Sequence, residues 1–439
     1  MRKPLIPVLL LITSLLWAIE RQPNADYRAR RTRLAEKAEG AFLVFAATEA
    51  QGPNAVYGFR QDDNFYYLSG WAEPGAAVLI IPAHPASDSS PAQPYSEILF
   101  LPAHNPIQEK WTGGKLGADN RQAAQVTGFD RVETLDQLRD ELMRLLPSGR
   151  STLYVNKGPI SDASIEWLQR ANAFPPYLSI ADIGPLLAAL RVVKDAGEIR
   201  LIRAATDASV AAHQAAMKAV RPGLNEHDIS ALMQYEFQKR GCERPAYAPI
   251  VGSGPDSTVL HYSRDDRAIK DGDLVLMDVA GEYSMYASDI TRTLPANGKF
   301  TPRQREIYDI VLGAQDAAVR AFQAGKSSLG RDGPDSLYRV ALDYINSHGK
   351  DLHGHPLGPY FIHGLSHHVG LNVHDVGDTS IPLDKGMVFT IEPGIYIPEE
   401  NLGVRIEDIF WVDEGGRLVR LSGNLVRTAD EVEAAMAAR

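Results

Sequence analysis

The sequence predicts two domains, an α/β domain followed by an α+β domain built on strand hairpins. Three observations carry this. At 439 residues the chain is longer than one hydrophobic core usually serves. Short apolar runs alternate with helical stretches up to Gly184-Pro185. Beyond Gly241 the texture changes to strands, several with an acid inside an apolar run.

At the N-terminus, Arg2 and Lys3 precede an apolar run from Leu5 to Ile19, broken only by Pro7 and Thr13-Ser14, and charge resumes at Glu20-Arg21. That is a positive n-region and a short h-region, with Ala18 as a small residue before cleavage. The run falls short of the roughly 20 residues of a comfortable spanning helix. Residues 1–19 therefore read as an export leader. A buried first helix is the alternative, and the bulky Leu16 leaves an uncleaved anchor open. An exported, periplasmic or secreted protein is expected if the leader functions, and a cytoplasmic one otherwise. No later run is comparable, so no stable membrane span is expected after processing.

Residues 20–185 form the first domain. Asp26 to Glu39 carries Ala and Leu at helical spacing. Ala41–Ala46 is a buried strand; Phe65–Leu68 and Ala76–Ile81 follow as short apolar runs of strand type, separated by Gly70 and the Glu73-Pro74-Gly75 turn. The Pro- and Ser-rich stretch Pro82–Pro94 is a loop. Glu97–Leu101 and Thr152–Val155 are strands, with a helix over Leu135–Leu146 between them.

The second domain spans 186–439. Leu186 to Val220 is helical, stopped by Arg221-Pro222-Gly223, and Asn225 caps a second helix through Arg240. Strands are predicted over Ala248–Gly252, Leu274–Val279, Ile290–Leu294, Val388–Ile391, Ile395–Ile397 and Val404–Val412. Thr301-Pro302 opens a helix over Arg303–Gln323 as N-cap and N1.

The net charge of −10 argues against nucleic acid or an anionic membrane as the main partner. The single cysteine, Cys242, excludes an intrachain disulfide and reads as a buried small residue.

The chemistry lies in the second domain. Asp278 sits inside the apolar run Leu274–Ala280, and Asp289 starts the next strand, where Gly281-Glu282-Tyr283 would let the two pair. Glu392 ends the run Val388–Ile391 before Pro393-Gly394, and Glu407 lies two residues from Arg405, on one face of a strand. A lone acid in such a place reads more readily as a structural ion pair. Four together read better as a shared cation site, since buried carboxylates repel unless a cation lies between them. His363, His367, His368 and His374 crowd one short segment of a chain with only 12 histidines. Imidazole serves as a metal ligand or an acid–base group. Four carboxylates and one imidazole exceed one tetrahedral zinc and suit two ions about 3.5–4 Å apart, which implies hydrolysis of an amide or ester.

These residues resemble a family. Asp278, Asp289, His367, Glu392 and Glu407, in that order, are similar to the dinuclear metallopeptidases of the pita-bread fold. His363-Gly-Leu-Ser-His367, Val373-His374-Asp-Val-Gly377, Thr390-Ile-Glu-Pro-Gly394 and Val404-Arg-Ile-Glu-Asp408 resemble aminopeptidase P and prolidase most closely. So do Ile250-Val-Gly-Ser-Gly254, Leu260-His261-Tyr-Ser263 and Asp289-Ile-Thr-Arg-Thr293, while Asp63–Gly70 resembles the creatinase-like N-terminal domain. The resemblance implies a creatinase-like α/β domain before a pita-bread α+β catalytic domain.

It also implies roles. Asp278 would chelate one metal, Asp289 and Glu407 would bridge two, and His367 and Glu392 would each bind one. The ions would be divalent, Mn2+ first and Co2+ or Zn2+ as alternatives. Glu392 would shuttle the proton of a metal-bridging hydroxide. His261 and His374 would polarise the scissile carbonyl, His363 would line the proline pocket, and Arg405 would orient an acid or the substrate. For each of these three histidines a structural role is the alternative, and His368 reads as incidental. After His261-Tyr-Ser the chain departs from its relatives with Arg264-Asp-Asp.

The implied activity is removal of the N-terminal residue from peptides with proline second. A proline dipeptidase is the first alternative and a non-catalytic pita-bread binding module a remote one. The segment Gln108–Gly117, with Trp111, resembles a loop that reaches a neighbouring subunit, implying a dimer or tetramer, although Trp111 serves equally as a surface aromatic.

Overall fold

The computed structural model of the chain describes residues 20–438 except 50–56, 87–91, 147–150, 159–161, 163, 167–168 and 170–177. The expected leader lies outside the described residues.

The N-terminal part is one six-stranded sheet in the order β4-β3-β2-β1-β5-β6. Its strands are β1 Ala41–Phe45, β2 Ala77–Ile81, β3 Ser96–Leu101, β4 Arg131–Thr134, β5 Ser151–Val155 and β6 Leu178–Asp182. The pairs β1–β2 and β2–β3 are antiparallel, whereas β3–β4, β1–β5 and β5–β6 are parallel. Strands β1 and β2 are buried along their whole length, which is why they read as continuous apolar runs.

Phe65–Leu68 is helical, within Asp63–Ser69, and not a strand. The Asp62 side chain accepts from the Phe65 N–H at 2.8 Å and caps the helix. Gly70 closes it at φ 59°. Residues Phe65–Ser69 are all buried, so the apolar run reflects burial on every side and not the period of a strand.

The expected helix from Leu186 to Val220 is two helices, Gly184–Arg191 and Ala196–Ala219. The first ends at Arg191 with Val192 as its C-cap, and Asp195 caps the next through a capping box with Glu198. The break brings Arg191 and Lys194 to Asp375, at 2.5 and 3.1 Å. Further ties join the two parts of the chain: Arg60 reaches Glu282 at 2.7 Å and the Leu371 carbonyl at 2.6 Å, and Arg30 reaches Asp195 at 2.7 Å.

The C-terminal part carries β7 Arg244–Pro245, β8 Ile250–Ser253, β9 Leu274–Asp278, β10 Gly281–Tyr283, β11 Tyr286–Ala287 and β12 Thr291–Pro295. Then come β13 Val388–Ile391, β14 Gly394–Ile397, β15 Leu402–Arg405, β16 Asp408–Val412 and β17 Leu418–Arg420. They form the small sheets β12-β9-β8, β13-β16-β17, β14-β15 and β11-β10-β7. The helices Ala196–Ala219, Glu226–Gln238, Pro302–Ala321 and Leu337–His348 contribute to one large core with them.

Strands β9 and β12 pair antiparallel, as the sequence implies, with Asp278 opposite Thr291. Their link is a second hairpin, β10–β11, turned by Ser284 and Met285 at positive φ. The expected strand Val404–Val412 is interrupted. β15 pairs with β14 and β16 with β13, so Ile406 and Glu407 lie between two sheets. There the Glu407 N–H bonds the Thr291 carbonyl at 3.1 Å. The break joins the two acid-bearing halves of the site.

Gly403 fixes where β15 lies. Its N–H donates to Ser257 Oγ at 2.9 Å, and a Cβ there would run into the Ser257 carbonyl oxygen. Gly403→Ala is expected to lower stability by about 1–3 kcal/mol through overpacking. Thermal unfolding of the variant beside the parent measures it.

Candidate metal centre

Five donors converge where four segments end. Asp278 closes β9, Asp289 lies just before β12, Glu392 follows β13, and Glu407 fills the gap between β15 and β16. Asp278, Asp289 and Glu407 are buried. His367 comes from a loop docked on β13, where the Thr390 N–H bonds the His367 carbonyl at 3.0 Å. Its Nδ1 lies 3.1 Å from the His368 carbonyl, so Nδ1 holds a proton and Nε2 faces the acids. That Nε2 is 3.2 Å from Asp289 and 3.5 Å from Glu392. Ligand atoms of Asp289, His367 and Glu407 all lie within 4.8 Å of one another.

The electrostatics are those of a cation site. Burial, with Asp278 beside it, raises the Asp289 carboxyl. Burial pushes Glu392 up to about 7 against the pull of His367 and Arg405. Burial and then Asp289 push Glu407 well above the carboxylate range. Burial disfavours protonated His367, but Asp289 and Glu392 outweigh it and raise the imidazole to about 9. The cluster thus holds more negative charge than its surroundings neutralise. Glu407 Oε2 accepts from Thr291 Oγ1 at 2.6 Å, whereas Oε1, equally buried, has no hydrogen-bond partner among the described residues. An orphaned carboxylate oxygen among three other acids fits divalent cations, whose arrival would displace the His367 proton.

Tyr247 escapes sequence reasoning. Its hydroxyl lies 2.6 Å from both Asp278 and Asp289. One hydroxyl has one proton and satisfies one of the two carboxylates at a time. Tyr247 sits in an irregular Pro-rich link that shows no motif.

The donors line an open cleft together with Leu260, His261, His363, Ser366, His374 and Arg405. His363 is fixed on both sides, Nδ1 at 2.7 Å from the Gly364 carbonyl and Nε2 at 2.8 Å from Tyr396 Oη. Burial, then the Arg405 charge, draws its pKa down to about 4. The His374 ring stands edge-on to His367 at 4.3 Å, and burial followed by the His367 charge lowers its pKa. His261 is exposed at the cleft. Arg405 turns to the acids: Nη2 is 2.5 Å from Asp278, and Nη1 and Nε bond Tyr396 and Thr291. His368 is buried and does not line the cleft.

Likeness to known proteins identifies the family. Residues 200–414 match the metallopeptidase family M24 model, and residues 27–154 match that of the aminopeptidase P N-terminal domain. The chain is 35% identical to the Xaa-Pro aminopeptidase of Escherichia coli K12, over 94% of this chain and 98% of that protein. This chain belongs to the aminopeptidase P group of metallopeptidase family M24. The M24 relatives extend to eukaryotes: Homo sapiens Xaa-Pro aminopeptidase 3 is 32% identical over 86% of this chain and 76% of its own length. Among solved structures, a single-residue variant of Escherichia coli aminopeptidase P in complex with substrate superposes with TM-score 0.82 at 32% identity, covering 95% of this chain and 99% of that one. Yersinia pestis proline aminopeptidase P II gives 0.81 at 33% identity, covering 95% and 100%. As in those aminopeptidase P structures, the fold is an N-terminal domain plus a pita-bread C-terminal domain.

Proposed function

We propose that this chain is a metal-dependent Xaa-Pro aminopeptidase, releasing the N-terminal residue from peptides with proline second. The convergence of four acids, three of them buried, and His367 around Glu407 Oε1, which has no partner among the described residues, supports the metal chemistry. Likeness to proteins named Xaa-Pro aminopeptidase, along 94% of the chain in the Escherichia coli case, supports the substrate class.

Asp278, His367 and Glu392 would each help to hold one ion, and Asp289 and Glu407 would serve both. Mn2+ fits this oxygen-rich set best, with Co2+ or Zn2+ as substitutes. When bound, such a pair supplies a water of lowered pKa and Lewis acidity. The protein's residues do the rest. Glu392 presents Oε1 to His367 at 3.5 Å and Oε2 to the His363 side at 3.9 Å. Oε2 thus carries a proton towards the prolyl nitrogen. His374 and His261 donate to the scissile carbonyl oxygen, where negative charge grows. His363, with both ring nitrogens engaged, offers only its ring faces and walls the pyrrolidine. Arg405 holds Asp278 in place.

An Xaa-Pro bond is a tertiary amide without an N–H. This centre needs no such donor from the substrate. The second reading, a proline dipeptidase, is favoured only by the shared motifs. Mn2+-reconstituted protein tested on Gly-Pro and on Xaa-Pro-Xaa peptides of increasing length separates the two. Cleavage of tripeptides and longer peptides is expected; turnover confined to the dipeptide would reverse the assignment.

Two coarser expectations belong with this proposal. No helix among the described residues is long and apolar enough to cross a membrane, and export of the chain through its leader is part of the proposal. Trp111 and Ile107 are 87% and 75% exposed on one short segment, which supports a homo-oligomer formed through that loop.

A further inference from the structure

Two side chains outside the donor set hold the backbone on which it stands. The helices Ala196–Ala219 and Pro302–Ala321 each turn a fully buried polar side chain, His213 and Gln315, towards the segments that carry the acids. His213 Nε2 lies 3.0 Å from the Val279 carbonyl and 3.1 Å from the Ile290 carbonyl. Those residues directly follow Asp278 and Asp289. Gln315 Nε2 lies 2.9 Å from the Ile391 carbonyl and 3.3 Å from the Ile406 carbonyl. Those residues directly precede Glu392 and Glu407. One nitrogen therefore bonds beside both aspartates, and one beside both glutamates.

Carbonyls only accept, so both nitrogens donate, and His213 carries its proton on Nε2. Its Nδ1 has no partner among the described residues. Both ties sit where regular pairing ends. The β9–β12 ladder runs out at Asp278 and Thr291, leaving a long Val279–Ile290 bond of 3.3 Å. Ile391 and Ile406 adjoin strands of different sheets, and no ladder joins them.

We propose that His213 and Gln315 are a matched pair of positioning residues, each setting the spacing of two ligand acids by tying together the carbonyls beside them. This rests on the metal-centre reading. Ligand carboxylates must be held to within about half an ångström of the binding geometry, and a chain that leaves the ladder does not hold itself that closely. Gln315 has other duties, donating to Asp408 Oδ2 at 3.1 Å and accepting from Arg427 at 3.0 Å. Among the described residues the two carbonyls are the only hydrogen-bond partners of the His213 ring, so it gives the cleaner test.

The test uses the full chain, stripped of metal by chelation and titrated with Mn2+ by calorimetry, with circular dichroism and thermal unfolding alongside. His213→Leu and Gln315→Met are expected to fold, to bind Mn2+ about tenfold or more weakly, and to lose kcat with little change in peptide KM. His213→Gln keeps an amide donor of similar reach and is expected to restore affinity. If His213→Leu does not fold, His213→Asn replaces it: its shorter amide cannot span both carbonyls and should bind weakly where His213→Gln binds well. Mn2+ affinity equal to the parent in these folded variants, even with a lower melting temperature, would mean a purely structural role and overturn the proposal. A parent chain that binds no Mn2+ would remove the metal-centre reading, and the proposal with it.

Discussion

Asp289→Ala is expected to abolish both metal uptake and turnover. Asp289 is the donor nearest the others: 3.2 Å from His367, sharing the Tyr247 hydroxyl with Asp278, and within 4.8 Å of a Glu407 ligand atom. In its proposed role it would serve both ions, so its loss would not be confined to one site. The remaining acids would be relieved of one repulsion, because Asp289 is the first charge that raises Glu407 after burial. The variant should therefore fold at least as well as the parent while binding little Mn2+. Metal content after dialysis, turnover of an Xaa-Pro-Xaa peptide and the melting temperature report this together. Turnover surviving in a folded variant would contradict a dinuclear site at these residues.

Asp375→Ala is expected to be the most destabilising of the substitutions considered, by about 3–5 kcal/mol. Its carboxylate is buried between Arg191 at 2.5 Å and Lys194 at 3.1 Å. Both cations are buried too, and removing the acid leaves them uncompensated. Arg191 also reaches Asn64 at 2.7 Å, so the pair ties the N-terminal part to the residue next to His374. Burial alone would raise the Asp375 carboxyl, but Lys194 and Arg191 outweigh it and hold it below its ordinary value of 3.8. A lowered folded pKa contributes stability above the unfolded value and loses it as pH falls through the folded one. The gap between parent and variant should thus be full near neutrality and narrow in acid. Urea unfolding at several pH values measures it, and a gap independent of pH would contradict the ion-pair account.

Both predictions use residues that a sequence shows unequally. The ligand acids were legible because each lies in or beside an apolar run, where a charge needs a reason. Their order and the surrounding motifs made the family legible as well. The residues that hold those acids in place were not. Tyr247, His213 and Gln315 lie in a link or on helices where polar residues are ordinary, and only folding brings them to the acids. Strands β4 and β6 escaped because they are the outer strands of the sheet, partly exposed and without an apolar run. The helix Asp63–Ser69 read as a strand because burial on all sides erases helical periodicity. The break at Ile406-Glu407 was hidden because β15 and β16 are both apolar, and only their partners differ.

The histidine cluster shows the same division. His367 comes within 3.2 Å of Asp289, His363 and His374 line the cleft, and His368 is buried away from it. A density of histidine marks the region in the sequence, but only the fold decides what each ring faces.

The most direct test of the account is an equilibrium titration of the chelated full chain with Mn2+, following bound metal and Xaa-Pro peptide cleavage on the same sample. The account predicts two ions per chain, no cleavage in the stripped protein, and activity that returns as the sites fill. Full cleavage by metal-free protein, or a chain that binds no divalent ion, would contradict it.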